Sequence, residues 1–204
     1  MAKKKQIGRR VEGWKAKSWY KVYTPEVFGK VYIGDIVSAD PANMMGRVMQ
    51  VSLGEIAQDY SKQYIKMQFR INNVAGDTAY TEFIGHEVTR DYIRSNVKRR
   101  TSRIDSTVTL KVQGGREIQV TLTCFTLNRA KLSHIHSIRA KMVEVVTRLA
   151  SEMDYDTFAK AAVTGDISRE IFKDSRTIFP IRRIDVIKSE AVRTAAEKAA
   201  AIAA

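Results

Sequence analysis

The residues best equipped for chemistry in this chain are its arginines and lysines, because they come in runs. Residues 90–103 hold Arg90, Arg94, Lys98, Arg99, Arg100 and Arg103, with Thr101 and Ser102 among them. Guanidinium forks beside hydroxyl donors are the set that suits phosphate oxygens. Standing alone, such a run is as readily a solvated charged surface. Here the pattern recurs. An N-terminal tail carries Lys3, Lys4, Lys5, Arg9, Arg10, Lys15, Lys17 and Lys21 against the single acid Glu12. Residues 129–141 add Arg129, Lys131, Arg139 and Lys141, and Arg182 and Arg183 follow later. A chain that repeats the pattern is expected to coat an anion. Trp14, Trp19 and Tyr20 are interleaved among the tail's cations. They can stack on bases or anchor the tail to a folded body. For Trp19 anchoring is expected, because Val22 and Pro25 follow as if a strand began.

Other reactive types are sparse. His134 and His136 stand two apart and could share a metal, but a site needs three or four ligands. His86 and Cys124 do not complete a recognised zinc spacing, so no metal and no cofactor is expected. The two histidines are expected to face nucleic acid or to cap the helix that follows. Cys124 falls on the apolar parity of a strand, the place of a small core residue rather than a nucleophile. Glu82, Glu87, Asp91 and Asp105 could be assembled into a nuclease-like acid cluster, yet nothing in their spacing demands it. Neither a G-x-x-x-x-G-K-[ST] phosphate loop nor a G-x-S-x-G nucleophile elbow is present. No catalytic residue is expected.

Composition sets the scale of the charge. Lys+Arg 35 against Asp+Glu 22 gives a formal net charge of +13 over 204 residues. Such a surplus repels itself and suggests a permanent polyanionic partner. A membrane surface is discounted, since no apolar run approaches the ~20 residues that cross a bilayer. Gly8, Arg9 and Arg10 stand where a secretory signal would have its apolar segment. A lone cysteine excludes an internal disulfide and fits a reducing cytoplasm. With 44% hydrophobic residues, the chain has enough apolar material for a folded core.

The elements that must position the cations are read from period. Ile65, Met67, Phe69 and Ile71 alternate with Lys66, Gln68 and Arg70, as in a half-buried strand. Residues 48–53 form a short apolar run. Asn72 with Asn73, and Gly76 with Asp77, supply turn chemistry before a strand over 80–84. Ile104, Val108, Leu110 and Val112 share one parity; Ile118, Val120, Leu122 and Cys124 share another beyond Gly114 and Gly115. That pattern predicts a long β-hairpin. From Ser137 the period becomes helical, with Ile138, Met142, Val145, Val146, Leu149 and Met153 on one stripe. Asp154 or Asp156, Gly165 and Asp166 bound two shorter helices. Pro180 then introduces a returning strand over 181–187. The expected fold class is α+β: an antiparallel, barrel-like β body with a C-terminal helical segment and a basic N-terminal tail. The expected divisions are a tail over 1–17, a β-rich body over 18–135, helices and returning strand over 136–188, and an alanine-rich tail over 189–204.

Several strings, taken in order, resemble the archaeal and eukaryotic small-subunit ribosomal protein family called S3Ae, or S1e. They are Lys17-Ser18-Trp19-Tyr20 with Val22 and Pro25; Gly46-Arg47-Val48 with Val51-Ser52-Leu53; Phe83 and Gly85 leading to Val88-Thr89-Arg90-Asp91; the hairpin with Gly114-Gly115; Phe125-Thr126 with basic residues after it; and His136-Ser137-Ile138-Arg139-Ala140-Lys141-Met142-Val143-Glu144-Val145-Val146. The match runs over about 17–188, and the short tails look like the archaeal branch. The resemblance implies a β-barrel-like body with C-terminal helices on the platform of the 30S small subunit. It implies contacts with ribosomal RNA near its 3′ end and with neighbouring platform proteins, close to where messenger RNA exits.

On this reading Lys3, Lys4, Lys5, Arg9, Arg10, Trp14, Lys15, Lys17, Arg94, Lys98, Arg99, Arg100, Arg103, Arg129, Lys131, His134, His136 and Arg139 bind RNA. The sheet and the 138–153 helix hold those charges in register and offer apolar surface to a neighbour. A free RNA-binding regulator or RNA chaperone that visits ribosomes transiently is the alternative.

Overall fold

The computed structural model describes Trp14 and residues 17–192. Its organising unit is the hairpin of β6 (Arg103–Lys111) and β7 (Glu117–Thr126). Ile104 pairs with Cys124, Val108 with Val120 and Leu110 with Ile118, so one apolar parity faces the core from both strands. Gly114 (φ 94°) and Gly115 (φ 79°) turn the chain with backbone angles that L side chains adopt only under strain. β8 (Ile181–Ala191) returns along the other side of β7.

β8 then joins β5 (Thr78–Val88) through Gly85 with Glu190, His86 with Ser189 and Glu87 with Lys188. Glycine is required at this junction. A Cβ on Gly85 would stand 1.9 Å from the Ser189 carbonyl oxygen, a backbone atom that cannot step aside. β4 (Ile65–Ala75) takes the opposite edge of β5 along its whole length. β3 (Val48–Ser52) adds to β4, and β1 (Ser18–Tyr23) pairs in parallel with the beginning of β5. β2 (Tyr32–Ser38) lies antiparallel to β1.

The result is one 8-stranded sheet whose main path runs β2-β1-β5-β8-β7-β6. This corrects the expected antiparallel, barrel-like body: the sheet is mixed and does not close. The cause lies in β5, which gives one edge first to β1 and then to β8. The sheet therefore branches, and among the described residues β2, β3 and β6 each pair on a single side. Asn72 and Asn73 do not turn the chain either. β4 absorbs them with a register shift after Ile71 and continues to the Gly76 turn.

Helices cover the sheet's inner face: α3 (Leu132–Glu152), α4 (Tyr155–Thr164) and α5 (Asp166–Ser175). The helical period is legible from Ser137, but α3 begins a turn earlier at Leu132. Ile138, Met142 and Val146 of α3, Phe158 of α4, and Ile167 and Ile171 of α5 pack on Met67, Phe69, Ile104, Ile118 and Leu122. Each such side chain contributes roughly 1.5–3 kcal/mol when fully buried. Tyr155 ties α4 to β5 by donating its hydroxyl proton to the Phe83 carbonyl at 2.9 Å. A smaller second cluster of Tyr20, Val22, Met44, Ile71 and Ala79 supports the β1–β2 end. Two short α-helices also occur among the described residues, α1 (Leu53–Ala57) and α2 (Arg90–Asn96).

Candidate nucleic-acid interface

Antiparallel pairing places the start of β6, the end of β7 and the start of β8 at one end of the sheet. That end gathers basic segments far apart in sequence. Thr126 is the node. Its Oγ1 accepts the Ser102 N–H at 2.8 Å and donates to the Asn128 carbonyl at 2.7 Å. The Ser102 Oγ in turn accepts the Ala130 N–H at 3.1 Å. Residues 98–103 and 127–131 are thereby held side by side. Arg139 reaches across from α3 to the Asp105 carbonyl, with Nε at 3.1 Å. The Leu127 N–H donates to the Pro180 carbonyl at 3.1 Å, and Arg182 Nη1 donates to the Asn96 carbonyl at 3.3 Å. Arg94, Lys98, Arg99, Arg100, Arg103, Arg129, Lys131 and Arg139 thus share one end of the fold, and Arg182 with Arg183 extends it.

The charge there is largely uncompensated. Asp91 lies 4.0 Å from Arg94, Asp105 lies 2.9 Å from Arg103, and Asp185 lies 2.9 Å from Arg183. Lys98, Arg99, Arg100, Arg129 and Lys131 are exposed and have no carboxylate partner among the described residues. Arg100 also has a left-handed backbone, φ 61°. That conformation costs an L residue roughly 1–2 kcal/mol, and glycine usually fills it. Thr101 holds the turn by donating its hydroxyl proton to the Lys98 carbonyl at 2.6 Å. A strained arginine with an exposed side chain is what a site that needs the guanidinium would keep. Val97, Leu127 and Leu132 stand exposed among these cations.

The remaining predicted residues fall elsewhere. Lys3, Lys4, Lys5, Arg9, Arg10 and Lys15 lie outside the described residues. Trp14 and Lys17 are exposed, with the Lys17 ammonium 5.4 Å from the Trp14 ring centre. Trp19 lies on β1 and meets Trp14 edge-on at 5.9 Å, a contact between tail and sheet, although its side chain is 57% exposed rather than buried in the core. His134 and His136 sit within the first turns of α3 instead of capping it, and His134 lies against Phe179 at 5.4 Å. The apolar stripe of α3 is buried on the sheet, so it offers no surface to a neighbour. One arrangement escaped the sequence. Tyr64 stacks flat on Tyr92, with ring centres 3.9 Å apart and planes 4° apart, and the Arg183 guanidinium lies 5.1 Å from the Tyr92 centre. Tyr92 also donates its hydroxyl proton to Asp185 at 3.3 Å.

The groups with reactive side chains are held inert. Cys124 is buried in β7, and burial pushes its thiol up to about 12. His86 is buried with both ring nitrogens engaged: Nε2 is 3.2 Å from the Val186 carbonyl and Nδ1 is 2.6 Å from the Ser189 hydroxyl. Burial lowers its pKa to about 4, so the ring is neutral at pH 7. Glu82 is bound by Arg116 at 2.5 Å, while Asp105 accepts from Arg103 and Thr123. Among the described residues no group of three His, Cys, Asp or Glu side chains could hold a metal ion. No helix there is long and apolar enough to cross a membrane.

The sequence places this architecture among known proteins. The model of the ribosomal S3Ae family matches residues 4–195. The small ribosomal subunit protein eS1 of Methanosphaerula palustris is 58% identical over 190 residues, 93% of this chain and 96% of that one. The protein of the same name from Methanoculleus marisnigri is 55% identical over 196 residues, 96% of this chain and 100% of that one. That from Methanocorpusculum labreanum is 54% identical over 204 residues, 99% of each chain. With the family model spanning nearly the whole sequence and these relatives identical at more than half their positions, the chain belongs to the ribosomal S3Ae family.

Proposed function

We propose that this protein is a structural, non-catalytic constituent of the small ribosomal subunit, working in the cytoplasm as part of the ribosome. It binds ribosomal RNA on the platform, toward the RNA's 3′ region and near the messenger RNA exit, beside other platform proteins. The names of its relatives support the particle. The observation that carries the RNA contact is the gathering of cations from residues 94–103, 129–139 and 182–183 at one end of the sheet, where Lys98, Arg99, Arg100, Arg129 and Lys131 have no carboxylate partner among the described residues. Hydrogen bonds through Thr126 and Ser102 fix that arrangement, so the charges meet a phosphate backbone as an aimed set. Helices and sheet supply the rigid frame.

The test is the salt dependence of binding to a small-subunit rRNA transcript. Each phosphate neutralised on single-stranded RNA contributes about −0.7 to the log–log slope. Changing Lys98, Arg99, Arg100 and Arg103 together to alanine is expected to flatten the slope by up to about 2.8 and to weaken binding. An unchanged slope would take this end of the sheet out of the interface. Sedimentation in high salt separates an integral constituent, which stays with the 30S particle, from a transient regulator or RNA chaperone, which leaves it.

A further inference from the structure

Beside the basic end, a cleft of about 480 Å³ opens between α4–α5 and the strands β4, β5 and β8. Its volume lies within the ~300–1,000 Å³ usual for sites that enclose a small molecule. Ile65, Val88, Val163, Phe172, Ile184 and Val186 give it an apolar floor. Lys62, Lys173, Arg182 and Arg183 stand around it, with Arg169 held by Asp166 at 2.7 Å. Asp185 is the one carboxylate in the lining, and it is already engaged by Arg183 and the Tyr92 hydroxyl. His86 lines the cleft as a neutral ring, with both nitrogens satisfied. Tyr64 lines the cleft and is held by its stacking on Tyr92, whose ring the Arg183 guanidinium approaches at 5.1 Å.

We infer that this cleft receives one unstacked nucleotide of the bound RNA, its base on the apolar floor against Tyr64 and its flanking phosphates on the surrounding cations. This rests on the RNA-binding reading and adds a defined site to it. Three observations select the occupant. The lining is cationic with no free carboxylate, which matches a phosphodiester and repels a basic protein tail. The floor and aromatic wall suit a base, whose faces are apolar and whose stacking on aromatic rings is a general mode of single-strand recognition. Arg182 and Arg183 belong both to the cleft and to the basic end, so a strand lying on that end reaches the cleft without leaving cationic surface.

The experiment uses small subunits purified from cells carrying the full-length protein. Ultraviolet irradiation joins bases to the side chains in direct contact with them, aromatic rings and lysines included, and nuclease digestion with mass spectrometry then locates nucleotide adducts. The expected result is an adduct on Tyr64 or Phe172. It should fall at least tenfold with Ala162→Phe, which fills the cleft, while adducts within residues 98–103 persist. Because Ala162 is buried and its enlargement can unfold the chain, Lys173→Glu is run in parallel. That exposed substitution reverses one charge of the cleft and should also lower the adduct. The inference is overturned if adducts form within 98–103 but none forms in the cleft, or if both variants leave the cleft adduct unchanged. Crosslinks from Lys62 or Lys173 to an acidic segment of a neighbouring protein, without a nucleotide adduct, would overturn it as well. Loss of adducts at 98–103 instead counts against the RNA-binding reading itself.

Discussion

Replacing Arg100 with glycine is expected to raise stability and lower RNA affinity, two effects that usually fall together. Arg100 has φ 61°, a conformation that costs an L residue roughly 1–2 kcal/mol. Glycine adopts it freely but loses more chain entropy on folding, about 0.5–1 kcal/mol. The side chain is exposed, so its removal forfeits no packing. The net gain is about 1 kcal/mol, which for a chain of this size raises Tm by roughly 2–4 °C. On RNA the same change removes one charge-assisted hydrogen bond, about 1.5–3 kcal/mol, or roughly a 10- to 150-fold weaker Kd. The log–log salt slope becomes less negative by about 0.7. Thermal unfolding followed by circular dichroism gives the first readout. Fluorescence anisotropy with a labelled rRNA fragment across a salt series gives the second. Arg99→Gly is the control: without a positive φ it should lose both stability and affinity. A lower Tm for Arg100→Gly, or an unchanged Kd, would refute the claim that strain is retained there for the guanidinium.

Thr126→Val keeps the side chain's shape but leaves the Ser102 N–H and the Asn128 carbonyl without their partner. A loss of about 2–3 kcal/mol is expected in urea denaturation, with Thr126→Ser retaining most of it, and faster amide exchange in residues 98–103. Gly85→Ala drives a methyl into the Ser189 carbonyl; about 3 kcal/mol of stability should go, and an unperturbed Tm would mean that β5 and β8 are not in this register. His86 has a folded pKa of about 4 against 6.5, so the unfolded chain binds the proton first as pH falls. Its contribution is complete above pH 6.5 and is lost on the way down to pH 4, by up to about 3 kcal/mol. Urea midpoints at pH 7.5 and 5 should differ less for His86→Gln than for the parent protein.

The β6–β7 hairpin was legible because strict alternation and a Gly-Gly turn leave no competing reading, and α3 because its stripe keeps one period over several turns. β2 escaped because Tyr32, Ile33, Ile36 and Val37 are all partly or largely exposed, so no clean alternation marks a buried face. The open, branched sheet was hidden for another reason. That one edge of β5 meets β1 first and β8 afterwards is decided by pairing between distant segments, and local period carries no trace of it. Asn72 and Asn73 misled because turn formers inside a strand signal a bulge as readily as a reversal. For the site, the basic runs were visible singly, whereas their convergence depends on the registers of β6, β7 and β8. Tyr64, Tyr92 and Arg183 could be found only in three dimensions, since nothing local links three elements so far apart.

Among the described residues β8 is the final strand in chain order, yet it occupies an interior berth between β5 and β7. A chain made from its N-terminus therefore carries two unjoined sheet fragments until residue 181 and those after it have been synthesised. The hairpin and its neighbours can settle early, but no strand pairing joins them to β4 and β5. The cationic end is completed by Arg182 and Arg183 on that same late segment, so a nascent or prematurely ended chain has the charge without the aim. The aimed set of charges is in this way formed only once β8 itself has been made.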